Sequence, residues 1–155
     1  MAEAYGIGGR FEEMRRLYDG IRREECRKVE DFINGQLSGS ISCYDSAEDF
    51  YHGYLLGLLG GIPGYRIHSN KERGEDRPDL LLEPDNPQDP AVVVEVKRVR
   101  KFSQMEAACD RVLRQIREMN YASGILDEGC REVLEYGFCF CRKNCMVKVV
   151  KRKAA

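Results

Sequence analysis

The 155-residue chain contains no long apolar run and no low-complexity segment. Its longest apolar stretch, Tyr54 to Ile62, is interrupted by glycines and is much shorter than the roughly 20 residues that a membrane-spanning helix needs. The N-terminus also lacks a basic segment followed by an apolar one, so no secretory signal peptide is visible. Together these absences predict one cytoplasmic globular unit without a membrane segment.

A disulfide framework is absent as well. The seven cysteines are an odd number, they are scattered along the chain, and no signal peptide accompanies them. Cys139, Cys141 and Cys145 are close enough in sequence to suggest a metal site, with Cys43 as a fourth ligand. They lack the Cys-x2-Cys spacing of zinc sites, however, and Cys139 and Cys141 fall in a strand-like run. We therefore interpret them as small apolar side chains packed in the core.

Neither sign of charge is in excess, since the chain has 25 Lys and Arg against 26 Asp and Glu. This balance argues against nucleic-acid binding, which is mostly electrostatic. The charge is uneven, though: residues 136–155 have six basic and no acidic side chains, whereas residues 1–135 have 19 basic and 26 acidic ones. A second basic cluster lies at residues 97–101. The basic C-terminal edge could therefore hold a polyanion, and a solvated charged surface would explain the same residues.

Hydrophobic periodicity predicts both helices and strands. Helices are predicted over Phe11–Ile33, from about Ala47 to Leu59, and over Gln104–Met119, with a Gly/Ser-rich break at 35–42. Strands are predicted over Tyr65–Ser69, Pro78–Glu83, Ala91–Arg98, Tyr136–Cys141 and Cys145–Val150. This order of two helices, three strands, one helix and two strands predicts an α/β layer fold with helices packed on a central sheet.

The most informative residues lie on two neighbouring predicted strands. Pro78-Asp79 begins one strand, and Glu95-Val96-Lys97 lies in the next, whose other residues are mostly β-branched. Glu95 and Lys97 are two residues apart and share a face, and the hairpin between the strands can bring Asp79 beside Glu95. Two adjacent carboxylates repel each other, and a hard divalent cation relieves that repulsion. A buried ion pair between an acid and Lys97 explains the same spacing equally well.

Pro78-Asp79 followed by Glu95-Val96-Lys97 resembles the PD-(D/E)XK signature of the restriction-endonuclease-like nuclease superfamily. The flanking segments are similar to the bacterial branch that is usually C-terminal to an AAA-type ATPase module. The matching segments are Ala47 to Leu59, Ser69 to Asp79, Gln115-Ile116 with Tyr121, and Tyr136 to Lys143. The resemblance covers about Ser38 to Val149. It implies a restriction-endonuclease-like α/β fold with a central mixed β-sheet flanked by helices.

The resemblance also implies a role for each matching residue. Asp79, Glu95, the carbonyl of Val96 and Glu48 would ligate Mg2+ or Mn2+, and Lys97 would act on the attacking water or the scissile phosphate. Glu48 has a simpler interpretation as an acid favoured at a helix N-terminus.

Other matching residues would support this site. The implied set consists of Gln115 as a further catalytic residue, and of His52 and Tyr121 as supporting residues. We expect Gln115 to make a buried polar contact with the site rather than to face solvent. His52, one turn after Glu48, is also typical of a packed, hydrogen-bonded histidine.

The same comparison predicts where nucleic acid would bind. The candidate contacts are Arg73, Arg77, Arg98 and Arg100. The family pattern more often has glycine at the position of Asp76. Here an acid stands beside Glu72 and Glu75, which is unfavourable next to a phosphate backbone.

The resulting prediction is a Mg2+- or Mn2+-dependent deoxyribonuclease that hydrolyses DNA phosphodiester bonds through a metal-activated water. We expect a linker or added start at 1–10, an N-terminal amphipathic helix at 11–37, a nuclease-like domain at 38–150 and a basic tail at 151–155. No Walker-type phosphate loop is present, because Gly6-Ile7-Gly8-Gly9 is followed by Arg10. The resemblance implies DNA as a partner and an AAA-type ATPase module, either in cis or in trans. A second copy in a homodimer is the third expected partner.

An alternative function fits the same sequence. A nuclease-like module without catalysis could serve DNA binding, dimerisation or partner docking. Overall neutrality, the acidic loop around Asp76 and the apolar stripe of the N-terminal helix favour this alternative.

Overall fold

The computed structural model describes residues 2–39, 47–70 and 77–154, with side chains from residue 11 onward. Within these residues, one mixed five-stranded sheet carries helices on both faces. The helices are α1 (Ala2–Arg22), α2 (Cys26–Gly39), α3 (Glu48–Leu59), α4 (Met105–Met119) and α5 (Tyr121–Asp127), with a 3-10 turn at Phe102–Gln104. The strands are β1 (Tyr65–Ser69), β2 (Leu80–Pro84), β3 (Ala91–Arg98), β4 (Glu132–Cys141) and β5 (Asn144–Lys153). Among the described helices, none is both long and apolar enough to cross a membrane.

The strands lie in the order β1-β2-β3-β4-β5. Strands β1 to β3 pair antiparallel, β4 and β5 form an antiparallel hairpin, and β3 and β4 are parallel. A parallel pair needs a long crossover, and α4 and α5 provide it. The residues from Ala91 to Val96 are all buried, as expected for a strand that is covered on both faces. The predicted α/β fold with a central mixed sheet flanked by helices is confirmed.

Alternate residues of β3 point to opposite faces of the sheet. Val92, Val94 and Val96 pack in the core with α1, α2 and α3. Ala91 and Val93 pack on the other face, against α4 and α5. Glu95 follows Val93 by two residues, so its carboxylate belongs to the α4/α5 face.

The outer edge of β5 is covered by α2. The backbone N–H of Cys145 donates to Asn34 Oδ1 at 2.7 Å, and that of Val147 donates to Glu30 Oε1 at 2.8 Å. These two donors are two residues apart, so they lie on the same edge of the strand. Two side chains of α2 therefore occupy hydrogen-bonding positions that another strand could otherwise take.

Most predicted elements are confirmed with small shifts of their ends. The strands predicted over Tyr65–Ser69 and Ala91–Arg98 match β1 and β3, and the helix predicted from Gln104 begins one residue later. The single helix predicted over Phe11–Ile33 is wrong. The chain turns at residues 23–25, where Glu24 has a φ of 60°, and the turn lets the apolar stripes of α1 and α2 pack into one core.

The predicted domain boundaries stay predictions, and the secondary structure near both ends of the chain is as follows. Residues 2–10 are the first part of α1, and α2 continues to Gly39 through part of the predicted Gly/Ser-rich break. Residues 151–153 extend β5 instead of forming a basic tail, because β4 pairs with them as far as Glu132 opposite Lys153. Periodicity did not predict α5, which begins directly after Asn120, a residue with a φ of 53°.

The cysteines pack as core residues. Cys139 and Cys141 pack on the α4 side of the sheet, while Cys145 belongs to the core on the opposite face. Burial raises the pKa of Cys139 to about 11, so this thiol is neutral at physiological pH. The burial of Cys139, Cys141 and Cys145 matches the packing interpretation. The described cysteines are free thiols, and Cys43 lies outside the described residues.

Candidate active site

Asp79 and Glu95 face each other at the end of the β2–β3 ladder. The antiparallel register pairs Leu80 with Val94, and its continuation by one residue places Asp79 opposite Glu95. The two carboxyl groups are hydrogen-bonded to each other, and the backbone of Asp79 also hydrogen-bonds to Glu95. The sequence prediction that the hairpin brings these two acids together is confirmed by this contact.

The acid pair retains a proton at neutral pH. Burial, followed by repulsion from Asp79, raises the pKa of Glu95 to about 8. Glu95 is 9 % exposed, so water does little to relieve the repulsion. A divalent cation relieves it by neutralising both carboxylates, and oxygen donors of this kind suit Mg2+ and Mn2+. The chemistry of the donor set therefore fits a hard cation.

Val96 adds a backbone carbonyl to this region. Its N–H donates to Asp79 Oδ2 at 2.9 Å. In an antiparallel pair, the N–H and C=O of one residue point toward the same neighbouring strand. The carbonyl of Val96 therefore lies on the same edge of β3 as Asp79, which is the placement that a third oxygen ligand requires.

Glu48 approaches the other end of this site, next to Lys97. It is the first residue of α3, and its Oε2 accepts the backbone N–H of Arg98 at 3.3 Å and lies 3.9 Å from Lys97 Nζ. Across the described residues, no three His, Cys, Asp or Glu side chains are grouped to hold a metal. The structure thus brings Glu48 to Lys97 and does not group it with the acid pair as a third carboxylate ligand.

Lys97 lies beyond Glu95 on the same face of β3 and is 52 % exposed at its side chain. Its contact with Glu48 is long, so the ammonium retains donors for another group. The sequence left open a buried ion pair between Lys97 and one of the two acids. In the structure, Lys97 pairs with Glu48 instead, and Asp79 and Glu95 contact each other.

His52 ties α3 to the end of β1. Its Nε2 lies 2.9 Å from Ser69 Oγ, which matches the packed, hydrogen-bonded histidine of the simpler interpretation. Ser69 is a site-flanking residue that sequence reasoning did not single out, although it falls within a matching segment. The pair fixes α3 and its first residue, Glu48, against the sheet.

Tyr121 is brought to the acid pair by the start of α5. Its hydroxyl donates to the carbonyl oxygen of Arg77 at 3.3 Å, and the same hydroxyl is close enough to the Glu95 carboxylate to lower the pKa of that acid. Gln115 does not make the buried contact that we expected. It is exposed, because the buried positions of α4, among them Val112 and Ile116, face the sheet and Gln115 lies beside them.

The described arginines that were predicted to contact DNA differ in their exposure. Arg77 and Arg100 are exposed and Arg98 is half-buried. Arg73 lies outside the described residues, as does the acidic loop around Asp76.

The basic C-terminal edge differs from its sequence prediction. Three of its cations pair with acids that are distant in sequence. These pairs are Lys148 with Asp110 at 2.7 Å, Lys151 with Glu24 at 2.9 Å, and Arg152 with Glu135 at 2.9 Å. The acids offset part of the local positive charge, and these pairs favour the alternative interpretation of a solvated charged surface.

The sequence model of the PD-(D/E)XK nuclease superfamily matches residues 46–150. The match covers more than half of the chain and includes β1 to β4, most of β5, α3 to α5 and the whole carboxylate site. The chain therefore belongs to the PD-(D/E)XK nuclease superfamily. Membership indicates a nuclease, which is a phosphodiester hydrolase, and nucleases of this superfamily generally use divalent metals. No curated protein matches the chain significantly.

Proposed function

We propose that this protein is a divalent-metal-dependent deoxyribonuclease whose reacting centre is formed by Asp79, Glu95 and Lys97. The observation that carries the proposal is the contact between two carboxyl groups at the end of β2 and β3, with a lysine two residues farther along the same strand face. Family membership supplies the reaction class, and this arrangement supplies the residues.

Asp79, Glu95 and the carbonyl of Val96 would hold Mg2+ or Mn2+. When bound, such an ion lowers the pKa of a water molecule and offsets negative charge on a phosphate. Tyr121 orients Glu95 through its hydroxyl. The Val96 N–H fixes the Asp79 carboxylate through the 2.9 Å hydrogen bond.

Lys97 donates a proton of its ammonium in a hydrogen bond to the attacking water or to a phosphate oxygen. The water releases a proton to solvent as its oxygen bonds to phosphorus, the opposite P–O bond breaks, and the departing oxygen takes a proton from solvent. Glu48 is a positioning residue in this scheme because it restrains the Lys97 ammonium at 3.9 Å. Arg77 and Arg100, both exposed, would contact the DNA backbone near the site.

The expected AAA-type ATPase partner, the homodimer and the cytoplasmic location stay predictions. A catalytically silent module is distinguished from the nuclease by cation binding and cleavage together. Isothermal titration with MnCl2 and MgCl2 measures whether a cation site depends on Asp79 and Glu95.

Cleavage of end-labelled DNA in Mg2+, in Mn2+ and in EDTA tests the proposal. Asp79→Ala and Lys97→Ala should each lower cleavage by at least about 100-fold while the far-ultraviolet circular dichroism remains that of the folded protein. Asp85→Ala and Lys101→Ala are matched controls, since both residues are exposed and neither belongs to the site. Cleavage that survives both site substitutions, or that proceeds equally in EDTA, would overturn the proposal.

A further inference from the structure

A cleft of about 530 Å3 adjoins the carboxylate pair on the α4/α5 face of the sheet. Arg77 and Tyr121 line the end nearest the pair, so the cleft opens from the site itself. Its volume is that of a small-molecule pocket and accommodates a single nucleoside. Apart from Arg77, Tyr121 and Ser69, the residues that line the cleft have no role in the site described above.

The cleft follows two elements away from the site. Along β2, Asp79, Leu81 and Glu83 alternate onto the same face. Along α5, the lining continues from Tyr121 through Ile125 to the residues just after the helix. Leu81 and Ile125 are half-buried members of one apolar cluster, so the middle of the cleft has apolar walls.

The charges of the cleft differ between its two ends. Arg77 lies at the end near the site, while Glu83 and Glu128 line the other end. Glu83 is already paired with Arg66 at 3.2 Å and with His68 Nε2 at 3.0 Å, so this end is polar, and Glu128 supplies its second carboxylate. Carboxylates repel phosphate, but they accept hydrogen bonds from the amino groups of bases. This polarity favours a phosphate at the site end and a base farther in.

We propose that the cleft receives one unpaired nucleoside of the substrate strand, so that the site acts on single-stranded DNA. The inference rests on the proposed function for the identity of its ligand as a nucleic acid. A base in a duplex is stacked and paired, and it can enter such a cleft only after it leaves the stack. A single strand presents its bases without that step.

Gly124 offers a direct way to block the cleft. It lines the cleft on α5, and a Cβ built on it meets no atom within 4 Å. Gly124→Phe therefore places a ring in the cleft without a clash at the backbone. Ser123→Phe is the matched control, because Ser123 is exposed on the same helix and lines a different surface depression. Gly124→Ala tests whether the loss of glycine alone has an effect.

The experiment measures the fluorescence anisotropy of a fluorescein-labelled 20-nucleotide single strand in MgCl2, with Lys97→Ala in every protein to prevent cleavage. We expect Gly124→Phe to weaken binding at least tenfold, and Ser123→Phe and Gly124→Ala to leave it within twofold. A strand of abasic nucleotides should bind the Lys97→Ala protein at least tenfold more weakly than the normal strand, a comparison that does not depend on any cleft variant folding. Equal binding by the two phenylalanine variants, equal binding of the abasic strand, or equally tight binding of the duplex would overturn the proposal.

Cleavage by the protein with Lys97 intact separates this inference from the proposed function. If binding depends on Gly124 but no cleavage occurs, the nucleoside cleft is supported and the nuclease proposal is rejected. If cleavage depends on the metal and Gly124→Phe leaves it unchanged, the nuclease proposal is supported and the nucleoside cleft is rejected.

Discussion

Asp79 Oδ2 accepts a hydrogen bond from the backbone N–H of Val96 at 2.9 Å. Asp79 stands just before β2, so its side chain satisfies a donor of β3 at the point where the ladder between the two strands stops. The orientation of the carboxylate is therefore set by the sheet rather than by a loop. A group that must meet a cation in a defined direction benefits from such a rigid attachment.

Substitution of Asp79 separates activity from stability. Asp79→Ala removes one hydrogen bond, worth about 0.5–1.5 kcal/mol, but it also removes the repulsion against Glu95. We expect the free energy of unfolding in EDTA to change by less than about 1.5 kcal/mol while cleavage falls more than about 100-fold. Urea denaturation and a cleavage assay measure the two effects. Asp85→Ala should change neither, and parallel loss of folding and activity in Asp79→Ala would contradict the prediction.

The stability of the metal-free protein should fall as the pH rises. The pKa of Glu95 is about 8 in the folded protein against 4.5 ordinarily, so between these values the folded state keeps a proton that the unfolded chain releases. The stabilisation is complete below the ordinary pKa and is lost as the pH rises through the folded pKa. Urea denaturation in EDTA from pH 4 to pH 9 measures this change. Glu95→Gln cannot titrate, so its stability relative to the wild type should rise over the same window; a constant difference would refute the prediction.

Lys97 and Glu48 should act as one unit. Lys97→Ala is expected to lower cleavage by about 100- to 10,000-fold, and Glu48→Gln should lower it less because the ammonium remains present but less restrained. Since both changes affect the same ammonium, the double variant should be little worse than Lys97→Ala alone. Single-turnover rates of all three variants test this, with Lys101→Ala as the control. Effects that multiply would show that Glu48 acts independently of Lys97.

Gly137 marks a close approach between α4 and the sheet. It lies opposite Glu95 on β4, and a Cβ there would be 3.2 Å from Val112 Cγ1 and 3.5 Å from the carbonyl oxygen of Cys109. Gly137→Val should therefore destabilise the protein by about 1–3 kcal/mol through overpacking. Thermal denaturation measures the loss. The matched change in open space is Gly57→Val on α3, where a Cβ meets nothing within 4 Å; an equal loss there would point to β-branching rather than crowding.

Much of this arrangement could be predicted because it depends on local pattern. The run of valines in β3 requires burial on both faces, and the two-residue period then assigns Glu95 and Lys97 to one side. The turn between β2 and β3 is short, so Asp79 had few alternative neighbours.

Other parts depend on contacts that no local pattern contains. Lys148 and Asp110 are 38 residues apart in sequence, and regional charge counting cannot anticipate that they meet. The break at Glu24 and the start of α5 after Asn120 are single residues with positive φ in otherwise ordinary sequence. Gln115 appeared to share an apolar face, but it lies beside the buried positions Val112 and Ile116 of α4 and is exposed.

The coverage of β5 by α2 has a consequence for where this domain can be cut. The family match begins at residue 46, yet Asn34 and Glu30, which precede it, occupy the backbone donors of Cys145 and Val147. A fragment that starts at the match would leave a long outer strand with open donors and acceptors. Such an edge is a template for pairing with other chains. We therefore expect a fragment of residues 46–155 to aggregate more readily than a fragment that also contains α2.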